Sequence, residues 1–169
     1  MTNFLLPLIR FADRSYGLRN ARTGRSLAQS VIPAFDSDAR RTGLLGRDSF
    51  EKGSAMVIAP SNAIHTFFMR FAIDVVFVRR NGVVVKVRRN VQPGRAVVSF
   101  RAYAVIELPA GTLAADDARV GDVLHLPCNR AWLLIAEGWA ETIERSAAPI
   151  KAVRATGALF PPPGLRPKY

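Results

Sequence analysis

Two apolar runs separated by a short polar turn form the clearest pattern in the chain. Residues 73–79 and 83–89 are rich in Val, Ile and Phe, and Arg80-Asn81-Gly82 lies between them. Asn-Gly between two apolar runs predicts a β-hairpin with a type I′ turn, which needs positive φ at both central residues. Over residues 73–78, the odd-numbered and the even-numbered positions are both apolar apart from Asp74. We therefore expect this strand to be covered on both faces.

The remaining pattern predicts further short strands and a few short helices. Asp36 is placed to cap a helix that Gly43 and Gly46 end. Thr112 is placed to cap a second helix running to Ala118, and apolar positions over 132–145 have the spacing of a third. The other apolar runs predict strands over residues 16–20, 26–32, 55–59, 96–100, 103–109 and 123–126. The pattern therefore predicts a mainly β domain with two or three short helices.

The length of 169 residues suits one domain with elaborations. We expect a single β-rich domain over residues 1–127 and a C-terminal helical extension over 128–150 that packs on the core. Residues 151–169 contain Pro161-Pro162-Pro163-Gly164 and several basic residues. Such a segment buries too little apolar surface to offset its ordering entropy, so we expect a flexible Pro-rich basic tail.

The chain has features of a cytoplasmic, reduced protein. No apolar run approaches the roughly 18 residues needed to span a bilayer. The apolar stretch near the start is short, is broken by Pro7 and has no basic residue before it, which is not typical of a signal peptide. The single cysteine excludes an intramolecular disulfide framework. We therefore expect a soluble cytoplasmic protein with no transmembrane segment.

A net charge of +11 is the strongest compositional feature. The segment 75–106 contains seven basic residues and no acidic residue. A basic face of this kind suits phosphate backbones or anionic lipid headgroups, although an Arg-rich composition is also what coding bias produces. No groove-reading helix or interleaved aromatic platform accompanies the charge along the sequence. Any nucleic-acid binding is therefore expected to be weak and non-specific.

Several polar residues in or beside the apolar runs are candidates for one site. Asp74 and Glu107 each lie in an apolar run, and a buried carboxylate must be paired, hydrogen-bonded or protonated. His65 and Arg70 lie just upstream of the first strand, with Phe68 and Met69 as apolar walls between them. The hypothesis is a polar pocket near the ends of three strands. The structural alternative is that Asp74 caps a turn or pairs with Arg70.

The same residues do not predict a metal centre or a cofactor site. Zinc sites use three or four Cys, His or carboxylate ligands at recognisable spacings. The chain has two histidines and one cysteine, and His125 and Cys128 have no evident partner pair. We expect no metal and no cofactor.

Four segments in order resemble a known family. They are Arg41-Thr42-Gly43-Leu44-Leu45-Gly46-Arg47, His65-Thr66-Phe67-Phe68-Met69-Arg70, Ile73-Asp74-Val75-Val76-Phe77, and Glu107-Leu108-Pro109-Ala110-Gly111 followed by Gly121-Asp122. Together they resemble the bacterial and archaeal family called domain of unknown function 192, over about residues 40–127. Phe68 stands where Trp is usual in the family, Arg70 where Lys is usual, and Phe71-Ala72 where Asn-Thr often follows. The resemblance implies a compact β-sandwich or barrel-like fold and no established activity.

Three classes of function remain open from the sequence. The favoured hypothesis is a small β domain that binds a small ligand or a protein partner through the polar pocket. An enzyme would use the same residues, with Asp74 or Glu107 as general base, His65 as acid and Arg70 holding an anion. The third class is a basic module that contacts nucleic acid or an anionic membrane surface.

Overall fold

The computed structural model describes residues 3–128, so the predicted helix over 132–145 and both C-terminal segments lie outside the described residues. Two short helices are present, α1 (Leu6–Arg10) and α2 (Ser37–Thr42). The prediction of a mainly β domain is confirmed. The strands are β1 (Leu18–Asn20), β2 (Ser26–Ala28), β3 (Ser30–Ala34), β4 (Ser54–Ile58), β5 (Ala63–His65), β6 (Ile73–Val78), β7 (Val84–Val91), β8 (Ala96–Val98), β9 (Ala104–Pro109) and β10 (Leu124–His125).

The strands form three sheets. The largest has five strands in the order β3-β4-β9-β6-β7, with β3 parallel to β4 and all other neighbours antiparallel. A three-stranded sheet has the order β10-β1-β2, and β5 pairs with β8 in a two-stranded sheet. The predicted strand over 26–32 is divided at Gln29, so that β2 belongs to the three-stranded sheet and β3 to the five-stranded one.

The five-stranded sheet separates two hydrophobic cores. One face packs against the three-stranded sheet and α1, through residues such as Val76, Ile106 and Leu18. The other face packs beneath the two-stranded sheet and the chain that follows α2, through residues such as Val75, Ile64 and Leu44. Every residue of β6 and β9 is buried because these strands are covered on both faces. This sandwich-like layering confirms what the apolar pattern over residues 73–79 predicted.

The hairpin between β6 and β7 is confirmed, but its turn differs from the prediction. The amide of Gly82 donates to the carbonyl of Arg79 at 2.9 Å, and the amide of Arg79 donates to the carbonyl of Val83 at 2.9 Å. Gly82 has a φ of 83°, whereas Asn81 does not have a positive φ. The connection is therefore a three-residue loop that ends in a left-handed glycine, not a two-residue type I′ turn.

Gly82 provides a stability prediction because a side chain there has no room. A Cβ at Gly82 would lie 2.4 Å from the carbonyl oxygen of Leu124 and 3.3 Å from Cβ of Phe4. Gly82→Ala should therefore lower the free energy of unfolding by about 2 kcal/mol, through positive φ and a backbone clash together. Gly94→Ala is the matched control, with a φ of 75° and open space around the new methyl group, and should cost about 1 kcal/mol. Urea denaturation compares them, and equal losses would contradict the clash.

One of the two short helices agrees with the prediction and the other was not predicted. The predicted cap of α2 is confirmed, since the Asp36 carboxylate accepts from the amide of Ala39 at 2.7 Å. Helix α1 was not predicted, and Pro7 lies in its first turn, where proline is tolerated. No helix among residues 3–128 is long and apolar enough to cross a membrane.

The predicted helix over 112–118 is wrong. This segment is a series of turns whose carbonyl groups are taken by the guanidinium of Arg89. Arg89 donates to the carbonyls of Leu113, Ala114, Ala115 and Ala118 at 3.0–3.2 Å. These acceptors are therefore engaged by a side chain of β7 rather than by amides within a helix.

Candidate functional site

Asp74 and Glu107 lie on opposite faces of the five-stranded sheet. In the antiparallel pairing of β6 with β9, Asp74 is opposite Leu108 and Val75 is opposite Glu107. Directly opposite residues share a face, so Asp74 lies on the face of Leu108 and Glu107 on the face of Val75. The two carboxylates therefore do not meet in one cavity, which corrects the expectation of a common pocket built from both.

The surroundings of Asp74 are those of a structural carboxylate. The residue is 1% exposed. Its Oδ1 accepts from the amide of Asn90 and its Oδ2 from the amide of Leu113, both at 2.8 Å. Asn90 belongs to a β-bulge where β7 has one extra residue opposite Asp74, so its amide is displaced from the ladder. Asp74 therefore links the β-bulge of β7 to the loop at Leu113, and the carbonyl group of Leu113 accepts a hydrogen bond from Arg89.

Glu107 has a different environment, in which a buried carboxyl oxygen has no hydrogen-bond partner among residues 3–128. The residue is 3% exposed, and Met56 and Val75 lie directly opposite it on the two neighbouring strands. Within the described residues, Oε2 is buried and makes no hydrogen bond. Desolvation by burial raises the pKa of Glu107 from 4.5 to about 7, because the charged form loses its hydration.

Glu107 lines a pocket of about 180 Å³. Part of the lining is residues 40–45, which comprise the end of α2 and the chain that follows it. The strand β5 and the residues Ile58, Pro60, Ser61 and Met69 complete the lining. The pocket thus brings one carboxyl group together with apolar side chains and three basic residues, Arg40, Arg41 and His65.

The structure divides the six predicted site residues into two sets. His65, Met69 and Glu107 line the pocket. Asp74, Arg70 and Phe68 do not line it: the guanidinium of Arg70 pairs with the exposed carboxylate of Asp48, and the side chain of Phe68 is 91% exposed. Asp74 and Arg70 also do not form the ion pair that the structural alternative predicted.

The wall at residues 40–45 was not predicted as part of the site. Arg40 donates to the carbonyl of Phe35 and to Oγ of Ser37 and so braces the start of α2. Arg41 lies 3.6 Å from Asp38, and both side chains are largely exposed, so this pair is weak. The run Arg41-Thr42-Gly43-Leu44 belongs to a motif that resembles the family, and that resemblance is the signal in the sequence for this part of the site.

Asp122 of the Gly121-Asp122 motif has a structural role and does not line the pocket. Asp122 accepts from Nε of Arg22 at 2.6 Å, from Nδ2 of Asn20 at 2.7 Å and from the amide of Arg119 at 3.0 Å. The hydrogen bond from Arg22 is the main reason that the pKa of Asp122 is held well below its usual range. These contacts tie the last strand of the three-stranded sheet to the loop that follows β1.

Comparison with solved structures finds the same fold in two bacterial proteins. One is a putative transcription regulator from Sinorhizobium meliloti 1021, with 22% identity and a TM-score of 0.58, covering 67% of this chain and 92% of its own. Another is a protein of unknown function from Novosphingobium aromaticivorans DSM 12444, with 18% identity and a TM-score of 0.56, covering 66% and 83%. At these identities the likeness concerns the fold alone. The sequence has no significant match among curated proteins.

The family model of domain of unknown function 192, described as "Uncharacterized ACR", matches residues 19–126. The match takes in β1 to β3 as well as the segments from residue 40 onward that carry the resemblance in the sequence. It covers the five-stranded sheet, the pocket and the Asp122 network. The chain therefore belongs to the domain of unknown function 192 family.

Proposed function

We propose that this domain binds a small ligand in the pocket lined by residues 40–45 and β5, through the carboxyl group of Glu107. The observation that carries the proposal is the buried Oε2 of Glu107, which has no hydrogen-bond partner in the part of the chain that the structure describes. Buried polar groups without partners are rare in folded proteins and cost stability, so each needs a reason. A ligand group that donates a hydrogen bond to this carboxyl supplies that reason.

The pocket suggests the chemistry of the ligand. An ammonium or other donating group suits Glu107, since it would stabilise the ionised carboxylate in an apolar surrounding. Arg41 and His65 are exposed residues of the lining and suit an anionic group on the same ligand. A volume of about 180 Å³ is below the roughly 300–1,000 Å³ of pockets that hold drug-sized molecules. A small amine or amino acid fits this combination best.

A second candidate is proton transfer at a ligand bound in the same pocket. A carboxyl group with a pKa of about 7 can both donate and accept a proton near neutral pH, which is what general acid–base catalysis uses. This enzymatic function requires the same bound ligand and adds a reaction to it. Turnover of a ligand identified by binding would distinguish the enzyme from the binding domain.

Binding to Glu107 should be detectable by thermal shift with a panel of primary amines and amino acids. Compounds that bind should raise the melting temperature of the wild type, and more so as the pH rises through about 7, because the ionised carboxylate pairs best with an ammonium group. Glu107→Gln should abolish that gain. Alcohols and carboxylic acids of the same size, without the amino group, serve as matched compounds.

Glu51→Gln is the matched control variant, because Glu51 is an exposed carboxylate outside the pocket. It should respond to the panel as the wild type does. If no compound stabilises the wild type, or if the gain persists in Glu107→Gln, the proposed role of Glu107 in ligand binding is wrong.

A further inference from the structure

The two-stranded sheet presents an outward face that the described part of the protein leaves uncovered. Ala63 pairs with Val98 and His65 with Ala96, and all four residues are exposed. Ile64, on the opposite parity of β5, is buried against the core. The ring of Phe67 continues the outward face by stacking on His65, with ring centroids 5.4 Å apart. One side of this small sheet thus packs on the domain, and the other faces away from it.

Two phenylalanines flank this face at opposite ends. Phe68 follows the end of β5 and is 91% exposed, and Phe100 follows the end of β8 and is 89% exposed. Because β5 and β8 are antiparallel, these two ends lie at opposite sides of the small sheet. Phe68 also has a φ of 65°, which is uncommon for a bulky residue and costs free energy. The backbone therefore holds a large apolar ring in solvent at a cost.

Positive charge surrounds these rings. From Lys52 to Ile106 the chain contains one acidic residue, Asp74, and that residue is buried on the other side of the five-stranded sheet. Arg101 follows Phe100 directly, and Arg95 is held beside the Phe68 end, since its carbonyl accepts from the amide of Thr66 at 2.8 Å. Each exposed ring thus has an exposed arginine near it.

We propose that this face, with Phe67, Phe68 and Phe100 as apolar contacts and Arg95 and Arg101 as cationic ones, binds the surface of an anionic lipid membrane. Apolar side chains that enter the headgroup layer beside basic residues that meet anionic lipids are the common means of binding at a membrane surface. The proposal uses charge and exposed apolar surface and requires no ligand in the Glu107 pocket, although Ala63 and His65 belong both to this face and to the lining of that pocket.

The arrangement favours a lipid surface over single-stranded nucleic acid. Proteins that bind single strands combine stacking rings with a basic groove that follows the backbone. Here Phe68 and Phe100 stand at separate ends of an outward-facing sheet, which suits simultaneous contact with a broad layer. Arg89 and Lys86, which would extend the cationic track, instead bond to carbonyl groups of the domain.

Co-sedimentation of the full chain with lipid vesicles tests the proposal. The protein should bind vesicles of phosphatidylcholine mixed with phosphatidylglycerol, bind phosphatidylcholine alone far less, and lose binding at high salt. The double variant Phe68→Ala/Phe100→Ala should lower the partition coefficient by about tenfold or more, because two rings no longer enter the lipid. Arg95→Glu/Arg101→Glu should lower it at low salt by a similar factor.

Phe11→Ala is the matched control, since Phe11 is an exposed phenylalanine that follows α1 and lies away from the small sheet. It should leave the partition coefficient within about twofold of the wild type. Melting temperatures of all variants establish that each is folded. Absence of vesicle binding, equal losses in Phe11→Ala and the double phenylalanine variant, or phenylalanine-dependent binding of oligodeoxythymidine in place of vesicles would each overturn the proposal.

Discussion

Between about pH 4.5 and about pH 8, the free energy of unfolding of Glu107→Gln should rise by about 3 kcal/mol relative to that of the wild type. In the wild type, the unfolded chain ionises Glu107 at its ordinary pKa of 4.5, whereas the folded protein ionises it at about 7. Between these values the folded state binds more protons than the unfolded state, so wild-type stability falls as the pH rises. The glutamine side chain does not titrate, so this loss is absent from the variant.

The sign follows from the direction of the pKa displacement. A carboxyl group whose folded pKa is raised gives its full contribution to stability below the unfolded pKa of 4.5 and loses it as the pH rises through about 7. Glutamine brings its own constant cost in this buried position, which shifts the variant equally at every pH. The change of the difference with pH is therefore the measured quantity, rather than the difference at one pH.

Urea denaturation of both proteins across this pH range provides the measurement. Glu51→Gln is the control, because an exposed carboxylate should leave the difference from wild type nearly constant. A constant difference for Glu107→Gln as well would show that Glu107 ionises alike in the folded and unfolded chain. A desolvated environment for the Glu107 carboxyl group would then be excluded, whatever the outcome of ligand screening.

The apolar pattern predicted most of the strands, although not β5, because a strand with apolar faces carries its own evidence in the sequence. Both faces of β6 are apolar in the sequence, and both are buried in the structure. The cap at Asp36 and the hairpin after β6 are equally local features, and both were predicted. The turn type was not, because Asn-Gly is compatible with a two-residue loop and with a three-residue loop that ends in a left-handed glycine. Strand registers decide between the two, and they depend on neighbouring strands.

The candidate site shows the same limit. The sequence assigns parity within β6 and within β9, and these assignments agree with the structure. Which parity of β6 matches which parity of β9 depends on their register, and a shift of one residue reverses every face. The register places Val75 opposite Glu107 and so separates the two carboxylates. The loop over 112–118 is a parallel case, since the partner that prevents a helix there, Arg89, lies more than twenty residues earlier in the chain.

Asp74→Asn should lower the free energy of unfolding by about 3 kcal/mol at neutral pH. Both carboxylate oxygens accept buried backbone amides, from Asn90 and Leu113. An asparagine amide can replace only one oxygen, and its NH₂ group then faces the remaining amide donor. One charge-assisted bond is lost and one donor is left unpaired, and this combination makes substitutions of buried carboxylates costly.

Thermal and urea denaturation measure this loss, with Asp48→Asn as the control. The carboxylate of Asp48 pairs with Arg70, but both side chains are largely exposed. Substitution of Asp48 should therefore cost no more than about 0.5 kcal/mol. A neutral or stabilising effect of Asp74→Asn would contradict the structural role and would indicate that Asp74 is held for an external partner.

The double variant Asp74→Asn/Glu107→Gln tests whether the sheet separates the two residues energetically as well as geometrically. Asp74 bonds to the bulge of β7 and the 113 loop, whereas Glu107 faces Met56, Val75 and the pocket, so the two share no partner. Residues that are not in contact and share no partner usually have additive effects to within about 0.5 kcal/mol. We therefore expect the double variant to show the sum of the single effects at each pH. A larger coupling would mean that the sheet transmits the ionisation of Glu107 to the bulge, because β6 pairs directly with β9 at both residues.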